Sequence, residues 1–319
     1  WEAALTNTLN KGDKVLSARF GQFSHLWIEM CKKLHIEVDV VDVDWGSGTP
    51  HDEFEKILSQ DKNHEIKAVL VTHNETSTGV TNDVKATRDL LNKLNHPALL
   101  FVDGVSSIGS IKFEMDAWGV DVAVSGSQKG FMLPAGLAIS CVSQKALEIA
   151  KSANLPRAYF DYHDMLKINE TGYWPYTNPM PLLRGLREAL TMMHEEGLDN
   201  IYARHLFLAQ AVQKASTAWG LGLCAKDPSL YSNTVTAIMV PEGIDSTDIV
   251  KTAYNKYNTS FGGGLNKVAG KLFRIGHLGD LNSTMILGAI STAELAMYDV
   301  GIKFELGSGV AAAIKHLKA

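Results

Sequence analysis

The sequence predicts an α/β protein with a mostly parallel, mixed sheet that carries helices on both faces, followed by a smaller C-terminal α/β domain. Between residues 14 and 142, short apolar and β-branched segments alternate with helical patterns. Segments such as Ala98–Val102 are apolar without interruption, as burial on both faces of a sheet requires. Strands that alternate with helices favour parallel pairing.

The first unit contains six candidate strands. In chain order they are Lys14–Ala18, Ile36–Val41, Lys67–Thr72, Ala98–Asp103, Val120–Val124 and Leu137–Val142. The helical patterns between them are Phe23–Leu34, Asp52–Ser59 and Asp83–Leu94. The chain opens in an amphipathic helix, because Trp1, Ala4, Leu5 and Leu9 fall on one helical stripe. No Met or N-cap precedes this helix, so we expect the natural protein to begin upstream of Trp1.

The periodicity fails between residues 154 and 181, where Tyr, Trp, Asn and Pro accumulate. An irregular segment of this length is functional or packed on a partner in most compact proteins. Helical patterns at Leu182–Glu195 and Asp199–Trp219 follow, and we place a domain boundary near Gly197. The expected domains are therefore residues 1–196 and 197–319.

The second unit repeats the alternation on a smaller scale. It contains strand Thr234–Val240, helix Ser246–Tyr257 with Ser246 as N-cap, a glycine loop Gly262–Gly264, strand Lys271–Ile275 and helix Ser283–Tyr298.

Composition excludes several classes of protein. The chain has 319 residues, 30 basic against 35 acidic, and 45% apolar residues, which is typical of a folded globular protein. A net charge of −5 argues against nucleic-acid binding, and no apolar run is long enough to span a membrane. The three cysteines are expected to be small core residues in a reducing, cytoplasmic protein.

Polar clusters follow three of the predicted strands. They begin at His73, Asp103 and Ser125, and the third contains Lys129. Ligands of parallel sheets bind outside the carboxyl ends of the strands, so one site can collect all three clusters if the strands are neighbours. Alone, a strand-end Asp is commonly a helix cap and an isolated Lys is commonly solvated.

Familiar catalytic motifs are incomplete. The segment from Gly104 to Gly109 is one residue too long for a nucleophile elbow, and Lys129 lacks the context of a Walker A loop. Leu198 stands where a zinc helix beginning at His194 needs its second histidine, and no dinucleotide-binding glycine motif opens a βαβ unit. No metal site is predicted.

One chemistry remains compatible with a strand-end aspartate and a nearby lysine. A carboxylate in a low-dielectric site pairs with a cationic ring nitrogen, and a lysine condenses with an aldehyde. At about 4 Å and an effective dielectric constant near 20, such an ion pair gains roughly 4 kcal/mol. That is enough to keep a pyridine nitrogen protonated.

Four motifs, in order, resemble the fold-type I, class V pyridoxal-phosphate aminotransferases, and in particular the serine–glyoxylate and alanine–glyoxylate aminotransferase family. They begin at Thr72, Val102, Ser125 and Leu272. The segment from Ala18 to Ser24 is similar to that of bacterial serine–glyoxylate enzymes. The resemblance implies a seven-stranded type of sheet, a pyridoxal 5'-phosphate cofactor, and transamination of L-serine with glyoxylate by a ping-pong mechanism. Alanine or aspartate as donor, and a class V lyase or desulfurase, remain alternatives.

The resemblance also implies a role for each matching residue. Lys129 becomes the Schiff-base lysine, Asp103 the partner of the pyridinium nitrogen, and Arg274 the residue that grips the substrate carboxylate. The expected cofactor contacts are Phe23 and Val105 on the two ring faces, Thr76 near the ring oxygen or Asp103, Gln128 near the phosphate, and Thr177 and Trp174 at the phosphate of a neighbouring subunit.

These matches imply a homodimer with active sites shared across the interface. The family's phosphate-binding loop should lie just before Trp1, so we expect an N-terminal segment to be missing. For the residues themselves, other interpretations stay open: Phe23 as core, Arg274 paired with Asp280, and Trp174 and Thr177 as ordinary packing. A non-enzymatic binding protein and a serine hydrolase using Ser106 or Ser107 are rival functions.

Overall fold

The computed structural model describes residues 1–319. The strands are β1 Lys14–Arg19, β2 Glu37–Asp42, β3 Ile66–Thr72, β4 Asn74–Glu75, β5 Val80–Thr81, β6 Leu99–Asp103, β7 Val122–Gly126, β8 Ala138–Val142, β9 Val235–Met239, β10 Gly262–Gly263 and β11 Leu272–Gly276. The helices are α1 Glu2–Thr8, α2 Gln22–Lys33, α3 His51–Gln60, α4 Val84–Lys93, α5 Gln144–Ala150, α6 Tyr162–Asn169, α7 Met180–Glu196, α8 Leu198–Ala218, α9 Ser246–Tyr257, α10 Ser283–Asp299 and α11 Ser308–Leu317.

The large sheet is mixed and mostly parallel, as predicted. Its order is β2-β1-β3-β6-β7-β8, and β8 alone runs antiparallel to its neighbour. All six predicted strands of the first unit are present. The sheet has six strands, one fewer than the seven-stranded type that the resemblance implied. The two-residue strands β4 and β5 pair with each other as a separate hairpin outside this sheet, and Val80 of β5 also forms an isolated bridge with Tyr231.

Side chains of the central strands alternate between two hydrophobic cores. Leu99 and Phe101 of β6 belong to a core that also contains Trp27 of α2. Leu100 and Val102 belong to a second core on the other face. Consecutive strand residues point to opposite faces of the sheet, and every residue of β6 is buried. Both faces of the sheet are therefore covered, as helices on each side provide.

The C-terminal part forms a smaller unit. Strands β10, β11 and β9 make an antiparallel sheet in that order. Its core of 18 buried residues lies entirely between Leu208 and Ala313. Gly197, with φ of +83°, separates α7 from α8 and adopts a backbone conformation that other residues rarely tolerate.

Some local predictions were wrong. Helix α9 is capped by Asp245 rather than Ser246, since the Thr247 N–H donates to Asp245 Oδ1 at 2.8 Å. Cys141 is exposed on the edge strand β8, where no further strand covers it, rather than buried. The sequence pattern also missed α5, α6 and α11. No helix combines the length and the apolar character that crossing a membrane requires.

Candidate active site

The three polar clusters meet at the carboxyl edge of the large sheet. Strand pairing sets Thr72 opposite Asp103, and Asp103 opposite Val124. The His73 N–H then donates to the Asp103 carbonyl oxygen at 2.9 Å. The strands β3, β6 and β7 are therefore neighbours in register, and the residues that follow them surround one site.

Asp103 is a buried carboxylate at the end of β6. The Val105 N–H donates to Asp103 Oδ1 at 2.9 Å. Burial raises the pKa of Asp103 to about 7, the hydrogen bond from Val105 opposes this rise, and the negative charge of Glu75 adds to it. A carboxylate in this environment is stabilised by a cation placed beside it.

Lys129 lies half-buried in the turn after β7. Burial lowers the pKa of Lys129, the positive charge of Arg274 lowers it further, and the charge of Asp103 opposes both. The amine is thus closer to its neutral, nucleophilic form than a surface lysine.

Ser127 and Gly130 shape the lysine turn. The buried Ser127 hydroxyl donates to the Pro134 carbonyl at 2.7 Å and accepts from the Leu137 N–H at 3.1 Å. A side chain on Gly130 would collide with the Ile108 carbonyl oxygen. The Ser127 hydrogen bonds close the turn on itself, and the close approach of Gly130 places it against the segment that follows Asp103.

Arg274 projects from β11 and is half-buried. Its Nε donates to the Gly263 carbonyl and its Nη1 to the Thr76 carbonyl, both at 3.0 Å. Burial lowers the pKa of Arg274, opposed by the charge of Glu75. None of the ion pairs of the chain includes Arg274, so Asp280 is not its partner. Because two carbonyls leave its charge unneutralised, the guanidinium is suited to bind an anion.

The two candidate ring-facing residues differ in their packing. Phe23, in the first turn of α2, is half-buried and lies outside the hydrophobic cores. It is therefore not an ordinary core residue. Val105 packs against the core that contains Phe101. Thr76 donates its hydroxyl hydrogen to Ser106 Oγ at 2.7 Å, which places it beside the segment after Asp103.

Three candidate residues lie at the surface. The Gln128 side chain is exposed and folds back over Gly126, where its Oε1 lies 2.8 Å from the position a Cβ would take. Trp174 and Thr177 are exposed in the irregular segment, and no hydrogen bond ties either to the other candidate residues.

Glu75 is a site residue that the sequence did not reveal. It is completely buried, and its carboxylate accepts hydrogen bonds from the N–H groups of Phe23 and Ser24 and from Ser77. The motif after β3 contains this acidic residue. Its role as the cap of α2, with an N–H partner 51 positions away, depends on tertiary structure and is not visible in the sequence.

A family model described as Aminotransferase class-V matches residues 2–263. The chain belongs to the class V aminotransferase family. It is a transaminase that depends on pyridoxal phosphate. The buried Asp103 carboxylate and the desolvated Lys129 amine fit this cofactor, which offers a basic ring nitrogen and an aldehyde.

Named relatives cover nearly the whole of this class V aminotransferase. It is 59% identical to a serine–glyoxylate aminotransferase of Hyphomicrobium methylovorum over 99% of this chain and 78% of the relative. It is 55% identical to an L-aspartate–glyoxylate aminotransferase of Paracoccus denitrificans over 100% of this chain and 80% of the relative. The solved pyridoxamine–pyruvate aminotransferase of Mesorhizobium loti superposes with a TM-score of 0.93 at 28% identity, over 99% of this chain and 81% of that one.

Proposed function

We propose that this enzyme transfers the amino group of L-serine to glyoxylate, forming hydroxypyruvate and glycine in two half-reactions. The observation that carries the proposal is the guanidinium of Arg274, which is half-buried and has no ion-pair partner. Its positive charge also acts on Lys129, where it lowers the pKa of the amine. Both amino-acid donors and 2-oxo-acid acceptors carry the carboxylate that such a guanidinium binds.

Pyridoxal phosphate, when bound, supplies an aldehyde and an electron-withdrawing ring. Asp103 would hold the ring nitrogen in its protonated form, and Phe23 and Val105 would pack on the ring faces. Thr76 would contact the edge of the ring, and Gln128 the phosphate. Burial raises the pKa of Asp103 to about 7, which means that its ionised form is destabilised when no cation lies beside it. A protonated ring nitrogen would supply that cation and stabilise the carboxylate.

Lys129 is the proposed acid–base residue. Its lowered pKa increases the fraction of neutral amine, which is the form that removes a proton from the donor Cα. The same Nζ would then give this proton to the cofactor carbon that carried the aldehyde, so that the amino group stays with the cofactor. Arg274 would keep the donor carboxylate fixed while Lys129 acts, so that the Cα–H bond stays within reach of the amine.

The identity of the donor is tested by a direct comparison. Serine is favoured by the relative of 59% identity, while the relative of 55% identity is named for aspartate, and alanine is a further candidate. The holoenzyme is assayed with glyoxylate and each of the three amino acids, and the 2-oxo acid formed is identified. We expect the highest kcat/KM with serine and formation of hydroxypyruvate. Faster turnover of aspartate or alanine would reassign the donor.

The cysteines do not favour a desulfurase. Burial raises the pKa of Cys31 to about 12 and that of Cys224 to about 11, and burial also raises the pKa of Cys141. A nucleophilic thiol requires a depressed pKa and an accessible position. We therefore expect no sulfide release when cysteine is the substrate, and sustained release would support the lyase alternative.

We also propose a cytoplasmic homodimer whose subunits share the active site through Trp174 and Thr177. The support is an exposed cluster in the irregular segment, and its large side chains are Tyr159, Leu166, Tyr173, Trp174, Tyr176 and Met180. Three free cysteines agree with a reducing compartment. Light scattering of the holoenzyme should give twice the mass of the chain.

Within each subunit we propose domains 1–196 and 197–319, divided at Gly197.

A further inference from the structure

Glu75 is fully buried beside the candidate active site, yet no ion pair neutralises it. Its Oε2 accepts from the Phe23 N–H at 3.1 Å and from the Ser24 N–H at 3.0 Å. Its Oε1 accepts from the Ser77 hydroxyl at 2.6 Å and from the Ser77 N–H at 3.2 Å. Burying a carboxylate is costly, and here helix and turn N–H groups offset the cost.

The hydrogen bonds of Glu75 fix the first turn of α2. Gly21, the N-cap residue, has no side chain that can accept from the N–H groups that follow it. Glu75 supplies that acceptor from the short strand β4, and the negative charge also complements the helix dipole. Phe23 lies in this turn, so its backbone is held by the same carboxylate.

The absence of a side chain at Gly21 has a steric reason. A Cβ at this position would collide with the side chain of Glu75. Gly21 has an extended backbone, with φ of −175°, so the position needs glycine for space rather than for its conformation. Glu75 and Gly21 thus form one arrangement that brings α2 against the loop after β3.

The charge of Glu75 also acts on the reactive groups. After burial, it is the further influence that raises the pKa of Asp103, and it favours the charged form of Arg274. Glu75 is therefore coupled to the two residues proposed to bind the ring nitrogen and the substrate carboxylate, in addition to its hydrogen bonds with the turn that carries Phe23.

We propose that Glu75 is a positioning residue for cofactor binding: its buried carboxylate caps α2 and thereby holds Phe23 at the cofactor ring. The inference rests on the proposed placement of Phe23. A carboxylate is needed because it offers acceptors on both oxygens. A glutamine would direct its NH2 group toward N–H donors or lose one of the two sets of hydrogen bonds.

Glu294 provides a matched control. It is also buried, and it accepts from the N–H groups of Gly307 and Gly309 at the start of α11, at 2.8 and 2.7 Å. Its other partner is Trp219 Nε1 at 2.9 Å. E294Q therefore damages a helix cap of the same chemistry without touching the residues around Asp103.

The experiment is a titration of apoprotein with pyridoxal phosphate, followed by absorbance and by the circular dichroism of the bound cofactor. We expect E75Q to weaken binding by about tenfold or more and to reduce the cofactor dichroism, while E294Q lowers thermal stability by several degrees and leaves binding unchanged. In the F23A background, E75Q should have a much smaller effect on binding, because the two changes act through one contact.

Cofactor affinity in E75Q equal to that of the unaltered protein, or an equal loss in both backgrounds, would overturn the proposal. If E75Q does not fold, S77A removes the hydroxyl that donates to Glu75 and should produce a smaller loss in the same direction. The affinity of F23A distinguishes a failure of the proposed placement of Phe23 from a failure of the proposed role of Glu75. Unchanged affinity in F23A contradicts the placement of Phe23, whereas weakened F23A with unaffected E75Q and S77A contradicts the role of Glu75.

Discussion

The Arg274 guanidinium donates a hydrogen bond to the Thr76 carbonyl at 3.0 Å, across 198 positions of sequence. Thr76 in turn donates its hydroxyl hydrogen to Ser106, three residues after Asp103. The strand that carries Arg274 is thereby tied to the loops at the carboxyl edge of the large sheet. The proposed substrate carboxylate site and the proposed cofactor site share this connection.

Arg274→Lys should raise the KM for both serine and glyoxylate. Lysine cannot reproduce the planar fork that contacts a carboxylate while holding two carbonyls, and we expect an increase of about 10- to 100-fold, corresponding to the hydrogen bonds of a charged group. Steady-state kinetics with each substrate varied will measure it. Lys226→Ala, which breaks an exposed ion pair with Asp44, serves as control. Unchanged KM values in Arg274→Lys would refute the carboxylate role.

Gly262→Ala should act on the same arginine through space. A Cβ at Gly262 would lie 3.1 Å from Arg274 Nε and 3.2 Å from Nη2, so the guanidinium must shift. Nothing lies within 4 Å of a Cβ at Gly263, which makes Gly263→Ala the matched control. We expect a KM increase of about tenfold for both substrates in the first variant. Equal kinetics in the two variants would show that Gly262 does not position Arg274.

Asp103→Asn should reduce kcat by about 10³-fold, because an amide cannot supply the roughly 4 kcal/mol that a carboxylate gives a protonated ring nitrogen. The side chains are nearly the same size, so thermal melting should show a folded protein. Turnover with serine and glyoxylate is the measurement, with Asp44→Asn as an exposed control. A loss smaller than tenfold would remove Asp103 from its proposed role.

The central strands β3, β6 and β7 were predictable from the sequence because buried parallel strands are almost continuously apolar, and each of these three ends in a polar cluster. The register of Thr72, Asp103 and Val124 then brings those clusters together. Glu75 was not predictable as a helix cap, since the helix N–H groups that it accepts from lie 51 and 52 positions away in the chain.

Helices α6 and α11 were missed for different reasons. Helix α6 has eight residues and lies inside an irregular aromatic segment, and α11 follows a turn at Gly307 in the left-handed region. The hydrogen-bond partners of Arg274 could not be predicted from the sequence either. Two carbonyl oxygens hold it, and backbone groups carry no signal in the sequence.

His73 should make the stability of the apoprotein depend on pH. Burial beside Phe113 and Trp118 lowers its pKa to about 4, from 6.5. Between pH 6.5 and 4 the imidazole is protonated in the unfolded chain but neutral in the folded protein. The contribution of His73 to the free energy of unfolding is therefore present above pH 6.5 and is lost as the pH falls toward 4.

The corresponding variant is His73→Leu, which cannot take up this proton in either state. Relative to His73→Leu, the free energy of unfolding of the unaltered protein should fall by about 3 kcal/mol between pH 7 and 4. Urea denaturation of both proteins across this range measures the difference. A difference independent of pH would mean that His73 is protonated in the folded protein as readily as in the unfolded chain.

Chemical mapping of the cofactor attachment site tests directly whether Lys129 is the reactive lysine. The protein is incubated with excess pyridoxal phosphate, reduced with borohydride and digested, and its peptides are analysed by mass spectrometry, with Lys129→Ala treated in parallel. We predict one dominant cofactor adduct, on Lys129, together with loss of turnover in Lys129→Ala. A dominant adduct on another lysine, or near-normal turnover of Lys129→Ala, would contradict the assignment of Lys129 as the reactive lysine.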